Sequence, residues 1–386
     1  MKQLLFFIFL LFSSVLVAQA NEDHLIIPSG FTLESLSGYG YSKTIDHQSN
    51  AASMNPAALD RFTSLAFGIS YQFQSDVKPG WIAGIGSTRY HQAIPQSVGL
   101  ILPYKNLRVG FGFSQKYNSS LLYGDIPVTT TENPDPTGEY VDVSEKSDVE
   151  RYSGLVSYSI DNFIYKDARF SFGVAVNYNR LNYYYRFGQK NYEPDRVLKS
   201  HGNKVTYSLG VTYSVLKSSL FSLLFEKGAE FDKMTTDENK FTILYTLVPL
   251  PSWEGMDKSV SKEPDKIHIG FDHSFSEESQ ITTTLSYIGW KATGQNRKDQ
   301  VEAAASFIYS MRHDLLTSLG LYYTDLNYNN NAFFAKDNLF RSLYITAGAI
   351  YSFSLFDVDL TVADSHLLAQ ECRKETLGRI SVGFHL

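Results

Sequence analysis

Three residue types used in catalysis stand together at Asp364-Ser365-His366, the nearest the chain comes to a hydrolytic constellation. Acyl transfer needs a serine hydroxyl that gives its proton to a histidine, with a carboxylate holding that histidine in place. Neighbours on an extended strand point to opposite faces, so these three cannot form the relay by themselves. A second serine stands in Ser37-Gly38-Tyr39-Gly40, outside any strand pattern. The nine histidines are scattered, and His268 and His273 fall on opposite faces of one strand. No nucleophile elbow, zinc-binding HExxH or cluster of metal ligands is present, so the reading is of a chain without catalysis, metal or cofactor. Arg151, Arg180, Arg186 and Arg341 could grip a carboxylate in bidentate fashion. Arginines of this kind more often serve at a surface or interface, their stems covered and their heads in water.

The elements that would position these residues are strands. In 205–215, Val205, Tyr207, Leu209, Val211, Tyr213 and Val215 alternate with Thr206, Ser208, Gly210, Thr212 and Ser214. Period two gives a strand two different faces. In a soluble sandwich the polar face would meet water and carry charge. Here it is nearly uncharged, and small residues suit the crowded inside of a barrel while tyrosine, phenylalanine, leucine and valine suit lipid. The same contrast recurs in 170–178, where Phe170, Phe172, Val174, Val176 and Tyr178 face out and Ser171, Gly173, Ala175 and Asn177 face in. Small inward side chains leave volume for something else, and no ladder of inward charges marks a charge-selective pore.

Fourteen such segments are expected, at roughly 64–73, 96–104, 107–118, 150–161, 167–186, 203–216, 218–231, 265–275, 280–290, 299–311, 315–328, 339–354, 355–367 and 375–386. Short and long connections alternate between them. Tight links such as Lys105-Asn106 and Lys217-Ser218 suit periplasmic turns. Long polar stretches at 74–95, 119–149, 187–202, 232–264, 291–298, 329–338 and 368–374 suit extracellular loops. A sandwich has no reason to collect its long loops at one end. In the final segment Ile380, Val382, Phe384 and Leu386 alternate to the last residue, and no repeat of fixed period suggests a propeller or solenoid.

Lys2, the apolar run 4–17 and Ala18-Gln19-Ala20 read as a cleavable secretory leader over residues 1–20. No later apolar run of about 20 residues would span a membrane as a helix, so any span is made by strands. The 43% hydrophobic content and mean hydropathy of −0.19 fit strands in which every second residue faces lipid. The 26 tyrosines and 27 phenylalanines can form girdles at both membrane interfaces. The net charge of −6, about −7 without the leader, and the lack of basic runs argue against nucleic acid. A single cysteine, Cys372, excludes an internal disulfide framework.

Residues 21–62 do not alternate and are expected to form a unit apart from the strands of 63–386. They contain Phe31-Thr32-Leu33, Ser37-Gly38-Tyr39-Gly40 and Asn55-Pro56-Ala57, in that order. Physically, Asn55-Pro56 is a helix start, with asparagine capping a free amide and proline at the first helical position. The order of these motifs resembles the FadL/TodX family of outer-membrane transporters for hydrophobic compounds. That resemblance implies an all-β, antiparallel transmembrane barrel of about 14 strands with an N-terminal plug, or hatch, inside the lumen. It also implies monomeric passive uptake of long-chain fatty acids or other hydrophobic molecules across a Gram-negative outer membrane, with hatch gating.

By the same resemblance Phe31 and Leu33 lie against the ligand, and Gly38, Gly40, Asn55, Pro56 and Ala57 belong to the hatch. A kinked third strand, here 107–118 with Gly110 and Gly112, gives a side exit into the membrane. The implied partners are outer-membrane lipids, a hydrophobic ligand and the barrel assembly machinery. The apolar residues Phe241, Leu244, Leu247 and Trp253 of 241–253 suit either a ligand-collecting groove or a strand extension above the membrane. A structural or secretion-associated barrel is the alternative, and an outer-membrane lipase a more distant one. Fatty acid and aromatic hydrocarbon remain equally open as substrates.

Overall fold

The structure, a computed structural model, describes residues 51–78, 88–129, 136–189, 196–215, 218–239, 262–293, 298–325, 342–367 and 375–386. Its strands are β1 Ala66–Lys78, β2 Thr88–Tyr104, β3 Leu107–Thr129, β4 Pro136–Asp161, β5 Arg169–Gln189, β6 Arg196–Val215, β7 Ser219–Glu226, β8 Asp232–Asn239, β9 Lys266–Ser274, β10 Ser279–Ile288, β11 Gln300–Arg312, β12 Leu315–Thr324, β13 Ser342–Ser352, β14 Phe356–Asp364 and β15 Glu375–His385. All pairings are antiparallel, and β1–β15 and β5–β6 contacts close the sheet into a ring. β7 and β8 lie end to end along β6, so fifteen strands make fourteen staves. Closure leaves no edge for the backbone to satisfy in lipid.

The two faces separate as the alternation requires. Phe172, Val176, Leu223, Ile269, Leu285, Leu319 and Leu360 are exposed on the outside, while Ser171, Ser153, Thr206, Ser222, Thr282 and Thr361 are buried inside. Fully withdrawing one such apolar side chain from water is worth about 1.5–3 kcal/mol. An outer face this rich in them therefore calls for an apolar solvent.

The wall is taller than the alternation indicates. β2 to β6 run on through much of 88–95, 119–149 and 187–202, which were expected to be loops, and β8 lies in the expected loop 232–264. Backbone pairing there continues through sequence in which apolar and polar residues do not alternate. The expected strand 218–231 is also corrected. It stops at Glu226, because residues 227–231 leave the ladder before β8 resumes.

Candidate functional site

Residues 51–62 pack inside the barrel at the end bearing the tight turns. Pro56–Arg61 is a short 3-10 helix capped by Asn55, whose Oδ1 accepts from Ala57 N at 3.0 Å. Proline at the first position fits the cap, since its missing N–H would have had no partner there. Asn55 Nδ2 also donates to the carbonyls of Leu223 (3.1 Å) and Val211 (3.4 Å), fastening the cap to the wall. Ser153 and Ser157 of β4 donate to the carbonyls of Ala52 and Ala57, and Ser171 of β5 donates to Asp60 at 2.6 Å. Arg169 pairs with Asp60 at 3.1 Å, and Arg108 Nε donates to Phe62 O at 2.6 Å. Burial pulls the Arg61 guanidinium down to about 9, against the opposing pull of Asp272, so it stays charged at neutral pH.

Inward glycines make the seat. A Cβ on Gly112 would lie 2.5 Å from Ala52 N, one on Gly173 would overlap the Pro56–Ala57 peptide, and one on Gly210 would overlap Asn55 Oδ1. The small inward residues of the alternation are thus complementary to this segment. Asn55→Ala is expected to cost about 1–2 kcal/mol, the range of a lost cap. Thermal unfolding monitored by heat-dependent gel mobility would measure it, and an unshifted transition would show that the cap does not anchor the turn.

Above the seat the lumen carries charge. Arg151 of β4 pairs with Glu226 of β7 at 2.5 Å and donates to Asn179 at 3.3 Å. His268 Nε2 lies 3.5 Å from Glu226, and its Nδ1 is 2.7 Å from Ser286 Oγ. Lys116 of β3 pairs with Glu263 at 3.1 Å, and Lys266 and Glu302 are buried on β9 and β11. One step further along β4 the lining turns apolar, with Val149, Leu181, Ala229, Phe231, Ile288 and Trp290 in one cluster.

The break after Glu226 supplies two members of that cluster. Lys227 N still donates to Tyr207 O, but Gly228 N donates to the Asp265 carboxylate instead of a strand, and Glu263 N donates to Ala229 O. The detour turns Ala229 and Phe231 inward. A cavity of about 980 Å³ lies at the break, lined by Tyr207, Lys227, Glu230, Lys262 and Asp265 among others.

A second irregularity separates β2 from β3. They pair from Tyr104↔Leu107 to Ser97↔Ser114. Beyond that point β2 continues against β1 and β3 against β4, with no β2–β3 pairing among the described residues. Both strands bulge where they part. Gln96 is the extra residue opposite Ser70/Tyr71, and Lys116 is the extra residue opposite Val149/Glu150. Both bulged side chains are buried. Bulges bend a strand and end pairing, and Pro95, which lacks a ladder donor, suits a strand at an unpaired edge.

Asn55, Pro56 and Ala57 therefore meet Gly173 and Gly210 in one assembly, with Gly112 against Ala52 and Gly110 beside Leu59. Gly110 and Gly112 are seat residues within regular pairing, and the departure of β3 falls beyond them at Lys116. Arg151, whose more frequent use would be at a surface, is instead buried in the lumen, whereas Arg180 is exposed beside Glu150. Phe31, Leu33, Gly38, Gly40, Phe241, Leu244, Leu247, Trp253, Arg341, Cys372 and the leader lie outside the described residues. Asp364 and His366 touch at 3.1 Å while Ser365 is buried on the opposite face, so the three form no relay. Lys116, Glu226 and Glu263 escaped sequence reasoning. A charge at an inward position of the alternation was the available signal for Lys116 and Glu226.

No family model matches the sequence, and no curated protein matches it. Solved structures do. A Pseudomonas aeruginosa FadL homologue superimposes with a TM-score of 0.64 at 11% identity, over 94% of this chain and 99% of that one. The Ralstonia pickettii toluene transporter TbuX gives 0.60 at 11% identity, over 92% and 97%. The P. putida toluene transporter TodX gives 0.57 at 14% identity, over 90% and 97%. The chain shares the fold of these channels along nearly its whole length.

Proposed function

We propose that this protein is an outer-membrane channel of a Gram-negative bacterium, taking up hydrophobic molecules, long-chain fatty acids among them, by passive diffusion. The observation that carries the reading is the parted β2–β3 seam. It opens where two neighbouring strands leave their common ladder, beside a lumen that holds residues 51–62. Ligand descends from the long-loop end, meets the charged layer above residues 51–62, and leaves sideways through the seam into the membrane. Residues 21–62 act as the hatch, with 51–62 as its anchored root.

A lateral exit has a clear energetic reason. Releasing an acyl chain into water costs about 0.8 kcal/mol per CH₂, or about 13 kcal/mol for sixteen carbons. Release into lipid avoids that cost. The fold of the toluene transporters and the FadL homologue supports the same reading.

The test is uptake of labelled oleate and toluene by cells producing the protein, against cells producing a form that keeps the leader but lacks residues 21–60. Saturable uptake that changes when the segment is removed is the expected result. An intact, correctly inserted protein that takes up neither compound would overturn the proposal.

A further inference from the structure

Glu263 is buried, and among the described residues its carboxylate has one partner, Lys116 Nζ at 3.1 Å; no hydrogen bond reaches either carboxylate oxygen. The neighbouring carboxylate is held differently. Glu226 receives Arg151 at 2.5 Å and faces His268 Nε2 at 3.5 Å, while Arg151 is further tied to Asn179. Of these two carboxylates, Glu263 is the more easily released.

The Lys116–Glu263 pair also joins two parts of the molecule whose behaviour matters to transport. Lys116 is the bulge residue of β3, two positions past the last β2–β3 pair at Ser114. Glu263 lies at the start of the segment leading into β9, its backbone N–H donating to Ala229 O in the irregular stretch after β7. The pairing therefore bridges the seam and the break after β7.

We propose that Lys116 selects ligands bearing a carboxylate, and that Glu263 is the resident carboxylate which the ligand's headgroup displaces. The inference rests on the channel reading above and names its substrate class as an apolar-tailed monocarboxylic acid. Exchanging one carboxylate for another leaves the Lys116 ammonium paired in a buried site, where an unpaired charge is unfavourable. A neutral ester or hydrocarbon has nothing to offer Lys116 and leaves the resident pair intact. Displacement places the acid's head at the parted strands and frees the segment that carries Glu263.

The test uses the purified full-length protein in detergent, titrated by calorimetry with oleate and with methyl oleate, which has the same tail and no charge. The wild type should prefer oleate by about tenfold, the scale of a charge-assisted contact. Lys116→Met should bring that ratio to about one, and Lys116→Arg should retain a preference. Glu263→Gln should tighten oleate several-fold and leave the ester unchanged, since no resident anion remains to be displaced. If Lys116→Met does not fold, the wild-type ratio and Glu263→Gln carry the test. Equal binding of acid and ester by the wild type, or an acid preference untouched by Lys116→Met, would overturn the inference and leave the channel standing. Failure of the folded protein to bind either probe would overturn the channel reading itself.

Discussion

Replacing Gly173 with valine lifts the Asn55-Pro56-Ala57 turn off the wall. Gly173 is paired directly with Gly210, and together these two leave the space in which the turn lies. A Cβ at position 173 would overlap the carbonyl carbon of Pro56 and the nitrogen of Ala57. Those are backbone atoms, so no rotamer change relieves the clash and the whole turn must move. Overpacking of this kind typically costs about 1–3 kcal/mol. Near the upper limit, the population with the turn displaced rises about a hundredfold, at tenfold per 1.4 kcal/mol.

The readout is thiol labelling of Ala57→Cys in a Cys372→Ser background. Ala57 is fully buried, so labelling is slow when the turn is seated and should accelerate by about that factor in Gly173→Val. Gly154→Val is the control, because nothing lies within 4 Å of a Cβ built there. Equal labelling rates in the two valine variants would show that the inward glycines do not hold the turn.

The second large effect concerns the seam. Deleting Gln96 and Lys116 removes the extra residue from each strand while keeping the alternation on either side of it. Without the bulges the strands lose the bends that carry them apart, and β2 and β3 can continue their ladder past Ser97 and Ser114. Toluene uptake should then fall at least tenfold in a barrel that still folds and inserts, if the seam is the exit that spares an apolar ligand release into water. Toluene is the right probe because it has no carboxylate for Lys116, so loss of that side chain does not confound the result. Undiminished uptake through the deletion variant, with the ring confirmed intact by its heat-dependent gel mobility, would move the exit away from the seam.

Much of this architecture is legible along the chain because a barrel strand faces two solvents at once. In 205–215 the alternation of Val205, Tyr207 and Leu209 with Thr206, Ser208 and Gly210 sets which face is wet or crowded and which is lipid, and the structure keeps that assignment. Asn55-Pro56 likewise states a capped turn in two residues, since capping and the missing proline N–H are local properties. The extended wall escaped for the converse reason: where the sequence does not alternate, backbone pairing leaves no mark on the side-chain pattern.

Read along the chain alone, the residues specify the kind of sheet, its faces, and the presence of a capped segment before the first strand. Which distant residues meet is set by the closed ring. Gly112, Gly173 and Gly210 sit on three strands and become one seat because the ring brings their inward faces around the same segment, 52–57. The parting of β2 from β3 depends on single extra residues at Gln96 and Lys116, whose bulges exist only relative to partners on β1 and β4. Lys116 on β3 and Glu263 before β9 have five strands between them along the chain, β4 to β8, yet lie 3.1 Å apart. Alternation is a one-dimensional signal of the solvent each residue meets, while register, bulges and ion pairs are relations between strands that closure alone brings together.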